Sequence, residues 1–250
     1  MSELLEGINS VLEALRSGRR KIQTVYYVQG KSADGLKAIL SLAHKRGIPV
    51  QELARPDFDR MSRSDSPQGV LAEAAAYSYC EIDDVLKDAA QKQESPFIIV
   101  LDGIEDPQNL GAVMRTAEGL GVHGVIVPKH NACDVTPSVV RASAGAAEHI
   151  NVVQVTNLVQ ALKYLKEQGV WIVGSDAAAQ QSCFELDYPE SLALVIGGEG
   201  RGIRRLVLEN CDFKVKIPMK GHISSLNASV SAAIVMAQVV RQRAQKAPIK

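Results

Sequence analysis

The chain has 250 residues, which is enough for one large domain or two modest domains with proper hydrophobic cores. Its 28 Lys and Arg residues balance its 28 Asp and Glu residues, so net charge predicts neither a nucleic-acid nor a membrane partner, and any nucleic-acid contact must come from local basic clusters. The N-terminus lacks the basic and apolar regions of a signal peptide, and apolar runs such as FIIVL are too short to span a bilayer.

The cysteine spacing argues against a metal site and against a disulfide framework. The four cysteines lie far apart and form no C-x-x-C pair: Cys80, Cys133, Cys183 and Cys211. Isolated cysteines of this kind are typical of reduced cytosolic proteins. We therefore expect a globular cytoplasmic protein that holds no metal.

Residues 1–76 are predicted to form a small α/β domain. A first helix, which ends at Gly18, is indicated by four apolar residues at helical spacing: Ile8, Val11, Leu12 and Leu15. The strand IQTVYYVQ follows, and Asp34 is expected to cap a second helix. PVQELA and GVLAEAAA are predicted strands on either side of the helical turn DFDRMS. Nothing in this region has the pattern of a catalytic site.

Residues 77–95 are predicted to be a linker. Ile82, Val85, Leu86 and Ala89 give it one short amphipathic helix, and the polar run QKQES ends it before Pro96.

From Phe97 onward, short apolar strands alternate with helical stretches. The predicted strands are FIIVLD, GVIVP, INVVQV, VWIVGS, LALVIGG and FKVKIP, and the helical stretches lie around 110–120, 137–148, 157–168 and 203–210. Continuous Val and Ile runs that alternate with helices predict an α/β domain, residues 96–250, with a mostly parallel sheet covered on both faces. Ligands of such sheets bind beyond the carboxyl ends of the strands, which are followed here by the loops 102–115, 197–205 and 217–229.

The first of these loops contains Asp106-Pro107, which begins a turn, and Asn109, which stands where a helix N-cap belongs. Arg115 follows about one and a half turns into the helix. A simple cap and a surface arginine would explain these two residues equally well. The loop alone therefore indicates no function.

The second loop runs from a strand into Gly197, Gly198 and Gly200, with Glu199 among them. Glycines at a strand end allow the backbone to approach a ligand closely. The dinucleotide fingerprint G-x-G-x-x-G is not matched, because Ile203 stands where its third glycine would be. A nucleotide-dependent oxidoreductase is therefore poorly supported.

The third loop leads into the last helix, whose first turn carries Ser225, Asn227 and Ser229. These side chains could satisfy unpaired backbone N–H groups, or a polar ligand could bind there.

Taken in order, the three loops resemble a known family. N-L-G-x-x-x-R-T-A, I-G-G-E-G-x-G-I and I-P-M-x-G-x-x-S-S-L-N-A-S-V-S-A resemble motifs 1, 2 and 3 of the SpoU (TrmH-type) branch of the SPOUT methyltransferases, over roughly residues 96–243. The stretch E-G-I-N-S-V-L-E-A-L resembles the start of the family's ribosomal-protein-like substrate-binding domain. The chain is most similar to the bacterial 23S rRNA guanosine 2′-O-methyltransferases of the RlmB type. It differs where Pro67 replaces the usual His before Gln68-Gly69.

The resemblance implies that S-adenosylmethionine donates a methyl group to a ribose 2′-hydroxyl of RNA, a guanosine of 23S rRNA by analogy. It also implies a deep trefoil knot in the C-terminal domain and a homodimer formed through that domain. The apolar face of the last helix could form the dimer interface, or it could pack within the chain. Its residues are Val230, Ile234 and Ala237.

The site residues follow from the same resemblance. The implied catalytic residues are Asn109, Arg115, Glu199, Ser225 and Asn227, and the implied cofactor-binding residues are Gly197, Gly198, Ile217, Met219 and Leu226. Arg115 would stabilise the developing alkoxide, because a guanidinium with a pKa above about 12 is a poor proton acceptor. Glu199 and Asn109 would orient Arg115 or the ribose, and Asn227 and Ser225 would hold the loop and the acceptor.

RNA binding would rest on local basic residues. The candidates for phosphate contacts are Arg19, Arg20, Lys21, Arg141, Arg201, Arg204 and Arg205. Two alternatives remain open at this point. The RNA could be tRNA, as for other members of the family, or the chain could be a non-catalytic RNA-binding or ribosome-assembly protein.

Overall fold

The computed structural model describes residues 2–64, 67–223 and 225–246. Its strands are β1 Ser2–Glu6, β2 Ile22–Val28, β3 Val50–Leu53, β4 Val70–Ala75, β5 Phe97–Asp102, β6 Gly124–Pro128, β7 Asn151–Val155, β8 Trp171–Ser175, β9 Gln181–Ser182, β10 Leu192–Gly197 and β11 Phe213–Lys216. Its α-helices are α1 Ile8–Ser17, α2 Asp34–Lys45, α3 Arg55–Met61, α4 Ile82–Gln91, α5 Pro107–Gly119, α6 Pro137–Ala142, α7 Leu158–Glu167, α8 Arg205–Glu209 and α9 Ala228–Lys246.

These elements form two units. The first contains Met1–Ser78 together with Val135–His149, and the second contains Tyr79–Asp134 together with Ile150–Lys250. The bounds 1–76, 77–95 and 96–250 stay a prediction, although α4 from the predicted linker packs against β7 in the second unit.

The first unit has a four-stranded sheet in the order β1-β4-β2-β3. Strand β4 is antiparallel to both β1 and β2, and β3 is parallel to β2. The strands and helices predicted within residues 1–76 are present, and Gly18 ends α1 in the left-handed conformation at φ 67°. The prediction that Asp34 caps α2 is wrong, because Ala33 is the N-cap and Asp34 is the first helical residue.

The segment Val135–His149 is fastened to the rest of the first unit by a buried charge cluster. The side chain of Arg20 is 3% exposed, and its Nε lies 3.1 Å from Glu148 Oε1. Its Nη1 lies 2.7 Å from Glu3, and its guanidinium carbon lies 4.9 Å from the centre of the Tyr77 ring. The prediction that Arg20 contacts phosphate is therefore wrong. Burial raises the pKa of Glu148, although Arg20 acts in the opposite direction.

The predicted helix at 137–148 is interrupted. Helix α6 ends at Ala142, and a 3-10 helix forms at Ala146–Glu148. Between them Gly145 has φ 88°, and a Cβ added there would lie 2.6 Å from Cβ of Glu13. Glycine therefore permits both the left-handed turn and the close approach to α1.

The second unit is built on a seven-stranded sheet in the order β7-β6-β5-β10-β8-β11-β9. All of its strand pairs are parallel, and the six predicted strands are present. Strand β9 has two residues and was not predicted. Helices α4, α7 and α8 contribute to one buried cluster on the sheet, while α5 packs against β6 and α9 against β10. The predicted α/β class is confirmed, and the trefoil knot stays a prediction.

Four neighbouring strands place the functional loops. In the parallel ladders Gly197 of β10 is opposite Asp102 of β5, and Ser175 of β8 is opposite both Ile196 of β10 and Val215 of β11. The loops that follow β5, β10, β8 and β11 therefore leave the same edge of the sheet. Among the described residues, no helix is long and apolar enough to cross a membrane.

Candidate active site

A cavity of about 720 Å³ lies at this edge of the sheet. Its volume falls in the range of about 300–1,000 Å³ that is typical of small-molecule sites. The five residues predicted to bind the cofactor all line it: Gly197, Gly198, Ile217, Met219 and Leu226. Three of the predicted catalytic residues line it too, namely Glu199, Ser225 and Asn227. The cavity thus joins the second and third loops.

The glycine loop after β10 is shaped by two close backbone approaches. A Cβ on Gly197 would lie 2.1 Å from the carbonyl carbon of Gly202, and a Cβ on Gly198 would lie 2.1 Å from the carbonyl oxygen of Gly103. The backbone N–H of Gly198 donates to the Asp102 carbonyl over 2.9 Å. Any side chain at these two positions would collide with backbone, so only glycine lets the loop form the cavity wall.

Three polar side chains from the three loops form one hydrogen-bonded network. Asn227 Nδ2 donates to Glu199 Oε1 over 2.6 Å and to Asn109 Oδ1 over 2.8 Å. Asn109 Nδ2 also donates to Glu199 Oε1, over 3.1 Å. Within the part of the chain that the structure describes, Glu199 Oε2 has no hydrogen-bond partner. One carboxylate oxygen is thus committed to the network and the other remains available as an acceptor.

Asn227 also caps α9, which is one of the two roles that the sequence left open for it. Its Oδ1 accepts from the backbone N–H of Ser229 over 2.9 Å and of Val230 over 3.3 Å. This cap turns the amide so that Nδ2 points at Glu199 and Asn109. Ser229 was predicted to satisfy a backbone N–H, but its hydroxyl instead donates to Asn227 Oδ1 over 2.6 Å. Ser225 is exposed and makes no side-chain hydrogen bond with a described residue, so it caps nothing there.

Asn109 is not the N-cap of α5, which corrects the prediction. The cap is Asp106, whose carboxylate accepts from the backbone N–H of Gln108 over 3.0 Å. Pro107 occupies the first helical position, where its missing N–H costs nothing. Asn109 is therefore the third residue of the helix, and its side chain is free of capping and meets Glu199 instead.

Arg115 does not join this network. It follows Asn109 by six residues, which is about 600° of helical rotation and leaves the two side chains about 120° apart around α5. Arg115 is exposed, forms no hydrogen bond or ion pair with any described residue, and is not among the residues that line the cavity. The structure therefore brings Asn109, Glu199 and Asn227 together and leaves Arg115 on another face of its helix.

Two further carboxylates at this edge were missed from the sequence. Asp102 ends β5 with 2% exposure, and its carboxylate accepts from Arg204 N over 2.8 Å and from Arg204 Nε over 2.7 Å. Asp102 thus holds Arg204, which directly follows the glycine loop. Asp176 follows β8 directly and lines the cavity, while its Oδ1 accepts from Ala178 N over 3.2 Å. Their place at strand ends is the signal that could have revealed them.

The comparison with protein families decides the classification. The family model described as the SpoU rRNA Methylase family matches residues 96–237, which is more than half of the chain. The chain belongs to the SpoU rRNA methylase family. A second family model, described as RNA 2′-O ribose methyltransferase substrate binding, matches residues 4–80.

The similarity of this SpoU-family chain to its relatives covers at least 95% of its length in the three examples that follow. YacO of Bacillus subtilis, named for the TrmH family of tRNA/rRNA methyltransferases, is 46% identical over 95% of this chain and 94% of its own. The SpoU methyltransferase AviRb of Streptomyces viridochromogenes, solved with AdoMet, has 26% identity and a TM-score of 0.82 over 98% of this chain and 91% of its own. An AdoMet-bound rRNA methyltransferase of Sinorhizobium meliloti has 25% identity and a TM-score of 0.80 over 98% of this chain and 88% of its own.

Proposed function

We propose that this SpoU-family chain transfers a methyl group from S-adenosylmethionine to a ribose 2′-hydroxyl of RNA. The observation that carries the proposal is the network of Asn109, Glu199 and Asn227 beside a cavity lined by all five residues expected to bind the cofactor. The AdoMet complexes of AviRb and of the Sinorhizobium meliloti enzyme support the choice of cofactor.

The cavity suits a bent nucleoside ligand that is recognised largely by backbone groups. Gly197 and Gly198 expose main chain at the wall, and Ile217, Met219 and Leu226 supply apolar contact surface. We assign the Asp176 carboxylate to the ribose hydroxyls of the cofactor, because a carboxylate is the side chain that commonly accepts hydrogen bonds from a ribose diol.

The reaction requires positioning more than activation. When bound, S-adenosylmethionine would supply an electrophilic sulfonium methyl group to the ribose 2′-oxygen, with S-adenosylhomocysteine as the neutral leaving group and an adjacent RNA phosphate or water as the acceptor of the hydroxyl proton. Asn109 and Asn227 hold Glu199, and Glu199 Oε2 is the free acceptor that orients the incoming hydroxyl. Arg115 stabilises the oxyanion as a permanent cation. Ser225 lies on the cavity wall, and we assign it to contact with the acceptor.

Arg115 needs a second chain in order to act, because it does not line the cavity of its own chain. We propose a homodimer through the C-terminal domain, with apolar residues of α9 at its centre. Val230 is 47% exposed, Ala237 is exposed, and Ile234 is half-buried. Helices α5 and α9 pack side by side, so a partner that covers α9 also approaches the exposed face of α5. In this dimer Arg115 completes the cavity of the other subunit.

For the RNA, we propose a guanosine of 23S rRNA, with the protein acting in the cytoplasm where that RNA is assembled. The match of residues 4–80 to a substrate-binding model supports RNA recognition by the N-terminal region. The resemblance of its first residues to a ribosomal-protein-like domain favours rRNA. A tRNA substrate is the second candidate, since YacO is named for both RNAs.

The test is methyl transfer from labelled S-adenosylmethionine to unmodified 23S rRNA and tRNA transcripts in separate reactions. We expect label in 23S rRNA and none in tRNA. Label confined to tRNA would overturn the rRNA assignment, and cofactor binding without transfer to any RNA would favour the non-catalytic alternative.

A further inference from the structure

The first unit contains a small basic cavity that joins Arg141, one of the candidates for phosphate contacts, to Arg63, which the sequence did not single out. It has a volume of about 190 Å³ and is lined by Leu4, Glu6, Arg63, Ser64, Ser138 and Arg141, with Pro137 beside them. Leu4 and Glu6 lie on one face of β1, and Ser138 and Arg141 lie on one face of α6, which packs against β1. The cavity therefore combines two chain segments more than 70 residues apart in the sequence.

Both arginines of the cavity are available for a ligand. Arg63 and Arg141 are exposed, and neither guanidinium forms a hydrogen bond or an ion pair with a described residue. Most other exposed arginines of this unit are already paired: Arg16 with Glu13, Arg55 with Asp59 and Arg60 with Asp57. Two unpaired guanidiniums at one cavity form a site for an oxyanion with fork-like acceptors.

The carboxylate of Glu6 offsets only one of the two positive charges, and its hydrogen bonds build the cavity wall. Its Oε1 accepts from Arg63 N over 2.8 Å, and its Oε2 accepts from Ser64 N over 3.1 Å and from Ser62 Oγ over 3.0 Å. Glu6 is 7% exposed. It thus fixes the turn that carries Arg63, while the two arginines leave the lining with a net positive charge.

The size of the cavity limits the ligand. About 190 Å³ is below the range of about 300–1,000 Å³ that holds a small-molecule ligand, but it accommodates a phosphodiester group with its ester carbons. Since the whole chain carries no net charge, affinity for RNA has to come from such local groups.

We infer that Arg63 and Arg141, with Ser138 beside them, bind a backbone phosphate of the RNA substrate. The inference rests on the proposed function for the identity of the RNA. It makes the substrate-binding surface a product of two segments: the N-terminal region supplies Arg63, and the inserted segment Val135–His149 supplies Arg141. Contact with phosphate positions the RNA and carries no sequence preference of its own.

The test is equilibrium binding of an unmodified 23S rRNA transcript over a series of salt concentrations. For R63A/R141A we expect weaker binding and a plot of log K against log salt whose slope is smaller by about 0.7–0.9 for each lost phosphate contact. R55A/R60A is the control, because it removes the same charge from exposed, already paired arginines of α3. It should keep the wild-type slope.

Three further arms make the result decisive. R63K/R141K should recover most of the slope, and all variants should bind S-adenosylmethionine as the wild type does, which excludes misfolding. Inorganic phosphate at equal ionic strength should compete with RNA more strongly than chloride does. An unchanged slope for R63A/R141A, or an equal decrease for R55A/R60A, would overturn the inference. If the wild type binds RNA with the expected salt dependence but transfers no methyl group, the result would instead count against the proposed function.

Discussion

The amide nitrogen of Asn227 lies 2.6 Å from Glu199 Oε1, while the amide oxygen of the same side chain caps the last helix. The oxygen of the Asn227 amide therefore stabilises the start of the helix, and its nitrogen holds a residue of the candidate site. Because the cap fixes the amide orientation, the folding of α9 positions the donor that holds Glu199. This coupling lets the two roles of Asn227 be separated by substitution.

Asn227→Ser should retain stability and lose activity. Serine is a good N-cap, so we expect the free energy of unfolding to change by only a few tenths of a kcal/mol, whereas Asn227→Ala should cost about 1 kcal/mol. Both variants lose the hydrogen bond from Asn227 to Glu199 and leave Glu199 held by Asn109 alone, so we expect turnover to fall about 100-fold in both, as a small misplacement in a positioned site can cause. Chemical denaturation and initial rates measure the two effects. A serine variant with wild-type turnover would mean that Asn227 is only a cap.

Two inactive variants should restore each other's activity if Arg115 acts across the dimer. In a mixture of Arg115→Ala and Glu199→Gln chains that exchange subunits, half of the dimers contain one chain of each kind. Each such dimer has one site with both native residues, so we expect up to about one quarter of wild-type activity for two-subunit symmetric exchange. Steady-state rates before and after subunit exchange measure it. Activity that stays at the level of the separate variants would show that Arg115 acts within its own chain or not at all.

Asp176→Asn should weaken the cofactor through its ribose. Loss of charge-assisted hydrogen bonds worth about 1.5–3 kcal/mol predicts a rise in Kd for S-adenosylmethionine of about 10- to 100-fold. Calorimetry with adenosine and 2′,3′-dideoxyadenosine locates the effect. The wild type should prefer adenosine, and the variant should discriminate little between the two. Equal discrimination by both proteins would place Asp176 away from the ribose. The control is Asp187→Asn, which removes an exposed carboxylate outside the cavity and should bind S-adenosylmethionine as the wild type does.

The contribution of Glu6 to stability should be present at neutral pH and lost in acid. Burial acts to raise the pKa of Glu6, but hydrogen bonds from Ser64, Arg63 and Ser62 outweigh it and lower the pKa below 4.5. A lowered pKa in the folded state stabilises the protein above the unfolded pKa, and this contribution is lost as the pH falls through the folded value. We expect Glu6→Gln to lose about 1–3 kcal/mol at neutral pH and to approach the wild type in acid. Urea denaturation from pH 3 to pH 7 measures it, and parallel curves would contradict the assignment.

The parts of the fold that the sequence predicts best are those set by local pattern. The run FIIVLD is fully buried in β5 because β-branched and apolar residues fill a strand covered on both faces. A cap was one of the two roles that its position left open for Asn227, and the hydrogen bonds show that it caps α9.

The parts that the sequence misses depend on distant partners. Strand β1 is rich in acidic residues, and it forms because Leu5 pairs with Ala72 of β4. In the sequence, Arg20 stands in a basic run that is typical of an exposed surface. In the structure it is buried beside Glu148, which lies far along the chain. For the site, the motifs indicated that Asn109 and Glu199 belong together, but they also grouped Arg115 with them, although six residues of helix leave Arg115 about 120° away from Asn109 around α5.

The central claim is that the site methylates a ribose 2′-oxygen, and nucleoside mass spectrometry tests it most directly. Unmodified 23S rRNA would be incubated with S-adenosylmethionine and the wild type or Asn227→Ser, then digested to nucleosides. We predict a single new 2′-O-methylguanosine with the wild type and a yield about 100-fold lower with the variant at early times. A methyl group found on a base, or equal ribose methylation by both proteins, would contradict the account.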